Sequence, residues 1–195
     1  MVYIRNIEDL NNITKYHIEL ILDYKINRKI IIPNFIRTIT FGEKFNQKII
    51  IPNSVQTLIF DRYGNFNQKV IIPNSVQTLT FGYGFNQKII IPNSVQTLTF
   101  GRNFNRKIII PNSVQTLIFS YSFNQKIIIP NSVQTLKLQE NFNQKIIIPN
   151  SVQILQLGYY SNQKVIIPNS VIILYIFNNF NKKNKIPKHI KVIKR

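Results

Sequence analysis

The chain has 195 residues, 44% of them hydrophobic, which is enough for one domain or one short repeat array and excludes a disordered tail. Twenty-five Lys and Arg against seven Asp and Glu give a net charge of +18, an imbalance that suits a polyanionic partner or a charged solvent-facing surface. There is no Cys, so disulfides and thiolate metal sites are excluded.

The first stretch, MVYIRNIEDLNN, holds acidic residues by position 8 and no apolar run of signal-peptide length. Ile13, Tyr16, Leu20, Ile21 and Tyr24 fall near one helical face, with Asn12 placed to cap it. Residues 1–25 are therefore expected to form a short helical cap over the first repeated unit of the chain.

From residue 26 onward a single period governs the chain. The nine prolines stand at 33, 52, 73, 92, 111, 130, 149, 168 and 187, every spacing being 19 except one of 21. A fixed period near 20 residues is the mark of a solenoid. The two extra residues of the long unit fall in Asp61-Arg62-Tyr63-Gly64-Asn65, a turn-like stretch.

Each unit offers two β segments. The first, K-I-I-I, is β-branched and stopped by Pro, which cannot donate to a ladder. The second, V-Q-T-L-T-F, is stopped in four units by Gly. Nineteen residues leave little room for a helix besides two such segments and two corners. The predicted fold is all-β: a single β-solenoid of about nine 19-residue coils over residues 26–195, the last coil incomplete and basic. Strict alternation through the Ile triplet would expose one Ile column, whereas a corner inside it would not. Both arrangements fit the letters.

The repeated columns read as structure. Asn46, Asn67, Asn86, Asn105, Asn124 and Asn143 recur once per coil, so their amides can bond the backbone of the next turn. A Phe precedes each of these Asn and would stack into a core column. Residues repeated in every coil do not make the one special place that catalysis requires. His17 and His189 lie at opposite ends of the array, and Asp61 and Glu140 are four coils apart. No phosphate-binding loop or nucleophile motif occurs. The chain reads as a non-enzyme without metal or cofactor. Its longest strongly apolar run, Val171 to Phe177, is too short to span a bilayer, so the expectation is a soluble, intracellular protein.

Two strips carry possible binding information. Between the second β segment and the next Phe-Asn the text changes in every unit and is rich in Tyr, Arg and Gly. Tyr63, Tyr83, Arg102, Tyr121, Tyr159 and Tyr160 are the candidate contacts for a protein partner there, because such residues are enriched in recognition surfaces. The second strip is a lysine column two residues after each Asn: Lys48, Lys69, Lys88, Lys107, Lys126, Lys145, Lys164 and Lys183. Stacked ammonium groups repel one another, and a polyanion, either nucleic acid or an anionic membrane surface, would relieve them. The C-terminal lysines around His189-Ile190-Lys191-Val192-Ile193 have a further explanation, since charge on a last strand blocks edge-to-edge aggregation.

The combination I-P-N-S-V-x-x-L-x-F-G followed by F-N-Q resembles the FNIP repeat of social amoebae and of giant viruses that infect amoebae. Val95, Leu98 and Phe100 correspond to the core positions of the related leucine-rich repeat. The resemblance implies a solenoid used mainly for protein interaction and, for a viral chain, the host cytoplasm. This chain has Lys where the family has Pro shortly after Phe-Asn, and no Pro before Pro33 to suggest the F-box that some family members carry. The leading expectation is a scaffold binding an as yet unidentified protein through the variable strip. Polyanion binding through the lysines is the alternative.

Overall fold

The computed structural model describes residues 2–4, 14, 18–22, 30–158, 164–177, 180 and 184–194. Among them eleven strands form one sheet in strict sequence order. They are β1 (Val2–Ile4), β2 (Glu19–Leu22), β3 (Thr38–Phe41), β4 (Thr57–Phe60), β5 (Thr78–Thr80), β6 (Thr97–Phe100), β7 (Thr116–Phe119), β8 (Thr135–Leu138), β9 (Ile154–Gln156), β10 (Ile173–Ile176) and β11 (Lys191–Lys194). Every neighbouring pair is parallel. The fold is a parallel β-solenoid, as the period predicts.

Each coil turns two corners. The strand T-L-T-F leads into a G-x-x-F turn, closed for example by the Phe45 amide donating to the Gly42 carbonyl at 3.1 Å. The chain then runs through N-Q-K-I-I-I to a P-N-S-V turn, in which the Val55 amide donates to the Pro52 carbonyl at 3.1 Å. The 21-residue coil places its insertion in the first corner, so Thr57 still pairs with Thr78 and the register survives.

Only one of the two expected β segments makes a ladder. Among the described residues no backbone hydrogen bond joins successive K-I-I-I segments. Every second residue of those segments is exposed, so their backbone groups lie within reach of water. Side chains along them alternate: Lys48 exposed, Ile49 half-buried, Ile50 exposed, Ile51 buried. The choice left open by the triplet is thus decided for alternation.

The residues expected on a cap helix are partly placed. Leu20 and Ile21 lie on strand β2, paired with β1 and β3, and not on a helix. Glu19-Leu20-Ile21-Leu22 also alternates, with Leu20 and Leu22 buried, and pairing on both sides outweighs the helical spacing. Ile13, Tyr16 and Tyr24 lie outside the described residues.

Two phenylalanine columns fill the core at the first corner. The strand column runs Phe41, Phe60, Phe81, Phe100, Phe119, with successive centroids 4.9–5.5 Å apart. The turn column runs Phe45, Phe66, Phe85, Phe104, Phe123, Phe142, at 6.1–6.2 Å. Within a coil the two rings stack at 3.8–4.2 Å. Leu138, Leu157 and Ile176 replace the strand-column rings in later coils and are also buried. Close stacking at this corner also explains one glycine: a Cβ on Gly101 would stand 2.0 Å from the Gly82 carbonyl oxygen.

Two polar columns bind coil to coil. The Asn124 amide donates to Asn105 Oδ1 at 3.0 Å, and the same relation holds from Asn46 through Asn143. This ladder runs along an exposed or half-buried edge. Ser75, Ser94, Ser113, Ser132, Ser151 and Ser170 each donate through Oγ to a Val carbonyl of the preceding coil. The serine therefore clamps two coils together, a role beyond the turn that its position suggested.

Both kinds of column can be tested by substitution. Phe100→Ala should lower stability by about 3–5 kcal/mol, because neither ring neighbour can close the void. Phe100→Leu should cost clearly less, since Leu138 occupies the same column, and thermal unfolding of both variants measures the gap. At Asn105, both bonds from the next coil, from the Asn124 amide and Gln125 Nε2, are accepted by Oδ1. Asn105→Asp should accordingly be close to neutral, while Asn105→Ala should cost about 1 kcal/mol. Equal losses for Asp and Ala would show that the amide nitrogen carries the ladder instead.

Candidate functional site: a tyrosine–arginine edge and a lysine–isoleucine face

The first corner carries the variable strip, and the structure brings four of its six candidates to one edge. Tyr63, Tyr83, Arg102 and Tyr121 lie there, while Tyr159 and Tyr160 fall outside the described residues. In the 21-residue coil the Tyr63 amide donates to Asp61 Oδ1 at 2.8 Å, which tightens the inserted turn. That turn sets the Tyr63 ring edge-on to Tyr83 with centroids 5.3 Å apart. Arg62 reaches over both rings, at 5.6 and 5.8 Å, and its Nε donates to the Tyr83 hydroxyl at 3.1 Å. The Tyr83 hydroxyl raises the pKa of this exposed guanidinium above its ordinary value.

Two coils on, Arg102 stacks over Tyr121 at 4.6 Å. Between the two clusters lies a depression of about 520 Å³, bordered by Tyr83, Arg102 and Tyr121, with Thr80, Thr99 and Ile118 from the strand face. Glu140, at the rim, has a φ of 23°. Arg62 belongs to this cluster although the letters alone do not single it out. Its signal is the column alignment, since Arg62 occupies the corner position that Tyr83, Arg102 and Tyr121 fill in later coils.

The lysine column is also formed. Lys48, Lys69, Lys88, Lys107, Lys126, Lys145 and Lys164 are all exposed, and Lys183 lies outside the described residues. Beside it runs an exposed column of isoleucines from the middle of each triplet. Shallow apolar hollows lie on this face, one of about 810 Å³ bordered by Lys88, Ile90, Lys107 and Ile109.

A third surface is a polar groove of about 970 Å³ along the P-N-S-V-Q corner, lined by repeated Asn, Ser and Gln. The hydroxyls of Ser75, Ser94, Ser113, Ser132 and Ser151 there are already engaged with carbonyls of the preceding coil, whereas Ser54 Oγ is buried without a partner. Among the described residues no group of three His, Cys, Asp or Glu side chains could hold a metal ion, and His189 instead contacts the Asn169 carbonyl at 2.9 Å. No helix among them is long and apolar enough to cross a membrane.

Comparison with known proteins agrees with this geometry. The FNIP Repeat model matches residues 25–63, 45–84, 66–103, 85–122 and 123–160. No curated protein sequence matches the chain. Among solved structures, the crystal structure of CroV588, described as a novel circular LRR protein, is similar with a TM-score of 0.69 and 29% identity. The likeness covers 91% of this chain and 37% of CroV588, so the chain spans little more than a third of that protein's length. With its coils matched from residue 25 to residue 160 and its parallel solenoid in place, the chain belongs to the FNIP repeat family, related to leucine-rich repeats.

Proposed function

We propose that this chain is a non-enzymatic scaffold that captures a protein partner through the tyrosine–arginine edge of its first corner. The observation that carries the reading is the pair of clusters Arg62–Tyr63–Tyr83 and Arg102–Tyr121 flanking one depression. Tyr and Arg are enriched among the residues that dominate binding energy at protein interfaces: Tyr buries large area at little entropic cost, and Arg offers a planar fork of donors. Here each is held by a neighbouring coil before any partner arrives. Less ordering entropy is then lost on binding.

The strip also differs from coil to coil, which a specific contact with a folded protein requires. The strand-face residues beside it vary too: Thr80, Thr99 and Ile118 border the depression, and Lys137 continues that column.

The combined variant Tyr83→Ser, Arg102→Ser, Tyr121→Ser tests the reading. Cross-linked capture from lysate of the cells that express the chain should lose its specific partner bands by about 30-fold or more, equivalent to about 2 kcal/mol at a hot spot. These side chains lie outside the phenylalanine core, so the melting temperature should be nearly unchanged. Partner recovery equal to that of the unaltered chain would remove the edge as the interface.

A further inference from the structure

We propose that the lysine–isoleucine face is an attachment surface for an anionic lipid bilayer. The face is separate from the tyrosine–arginine edge, and the hollows of the two share no residue. Its unusual feature is not charge alone.

Eight isoleucines, Ile31, Ile50, Ile71, Ile90, Ile109, Ile128, Ile147 and Ile166, stand in one column with 74–89% of their surface exposed. A single exposed Ile is ordinary, whereas an unbroken column is the kind of apolar surface that marks an interaction site. Strand spacing of about 4.8 Å per coil sets a floor of roughly 34 Å for its length, because no ladder draws these segments together. The fold does not need Ile at these positions. The core is served by the third residue of each triplet, and Thr would suit an extended backbone as well.

Lysine stands two residues before each of seven of these isoleucines and points to the same side, about 7 Å away along the chain. The segments 46–53, 67–74, 86–93, 105–112, 124–131, 143–150 and 162–169 contain no Asp or Glu at all. Cation and hydrocarbon therefore alternate across the face with no internal counter-charge.

Charge complementarity selects the occupant. A second copy of the chain would offer hydrocarbon to the isoleucines but would set lysine against lysine, with no acid on either side. Nucleic acid would satisfy the lysines but presents no continuous apolar surface for the isoleucines. An anionic bilayer supplies both, phosphate and carboxylate at headgroup depth and acyl chain immediately beneath. Short Ile side chains fit the headgroup–acyl boundary while the longer Lys stems keep their ammonium groups in the polar layer. Apolar contact and attraction to acidic lipid then add, as in other interfacial attachments.

Vesicle flotation of the intact chain tests this, using phosphatidylcholine alone and phosphatidylcholine enriched in phosphatidylserine. The chain should float with the acidic vesicles and remain behind with the neutral ones. Lys88→Gln, Lys107→Gln, Lys126→Gln should weaken binding by about five-fold per lysine. Ile90→Thr, Ile109→Thr, Ile128→Thr should weaken it by about ten-fold or more while leaving the melting temperature unchanged. The Ile→Val set at the same positions should retain most of the binding, which separates lost insertion from lost folding.

Three results would overturn the proposal. The chain could fail to float with acidic vesicles. Flotation could be indifferent to the Ile→Thr set, with a single-stranded oligonucleotide competing fully, which would make the face a polyanion surface. Or the unaltered chain could self-associate in sedimentation and the Ile→Thr set abolish that, which would assign the face to a second copy.

Discussion

In a parallel stack every residue has its own copy as a neighbour, one coil above and one below. That constraint decides which amino acids each column can hold. A column must attract itself, or at least tolerate itself, across about 4.8 Å. Phenylalanine does so by offset stacking, and the centroid spacing of 4.9–5.5 Å along the strand column is the stacking distance. Asparagine does so because its amide oxygen meets the next backbone N–H, as from Asn105 to Asn124. Serine reaches the preceding carbonyl and glycine lets backbones close in, as Gly101 does above Gly82. Lysine fails the test, since no lysine stabilises another. Its column is accordingly pushed to full exposure, and any role for it lies outside the fold.

The same rule explains how much of the structure was legible. Self-compatible columns must repeat, so the 19-residue period, the Asn ladder and the Phe column are visible in the letters alone. What escaped was information that identical letters cannot carry. In K-I-I-I three like residues give no sign of which one faces water; only the coil geometry shows that Ile90 is exposed and Ile91 buried. The segment around Leu20 and Ile21 misled for another reason. Leu20 and Ile21 also share a helical face with Ile13, Tyr16 and Tyr24, and the choice was made by β1 and β3, whose partners for Leu20 are Val2 and Ile39, far off in the chain. The Arg62–Tyr83 contact was likewise hidden, because it joins side chains of successive coils across the stack.

The inserted turn shows where the constraint loosens. The strand ladder passes through the 21-residue coil in register, Thr57 on Thr78, while the extra residues bulge at the G-x-x-F corner. Corner side chains that point away from the stack meet few copies of themselves and are free to differ. The column next to the close-packed glycines Gly82 and Gly101 holds Glu43, Arg62, Tyr83, Arg102, Tyr121 and Glu140 in successive coils. Variation is concentrated at the corner and in the neighbouring strand-face column, where packing permits it.

A surface can recognise only what its pattern can match. The lysine–isoleucine face repeats one motif coil after coil, so it offers the same contact at every step along the rod. Such a face cannot fix a folded protein in a single register, because sliding by one coil restores nearly every contact. It suits a partner that is itself uniform along that direction, and a lipid surface has no register to lose. The tyrosine–arginine edge is the opposite case. Arg62–Tyr63–Tyr83 and Arg102–Tyr121 occur once each, two coils apart, so a partner shifted by one coil meets different residues and loses its fit. On the two readings proposed above, repetition and variation on one solenoid divide the work: the edge would specify a protein, and the uniform face would hold the assembly against a surface while that protein is bound.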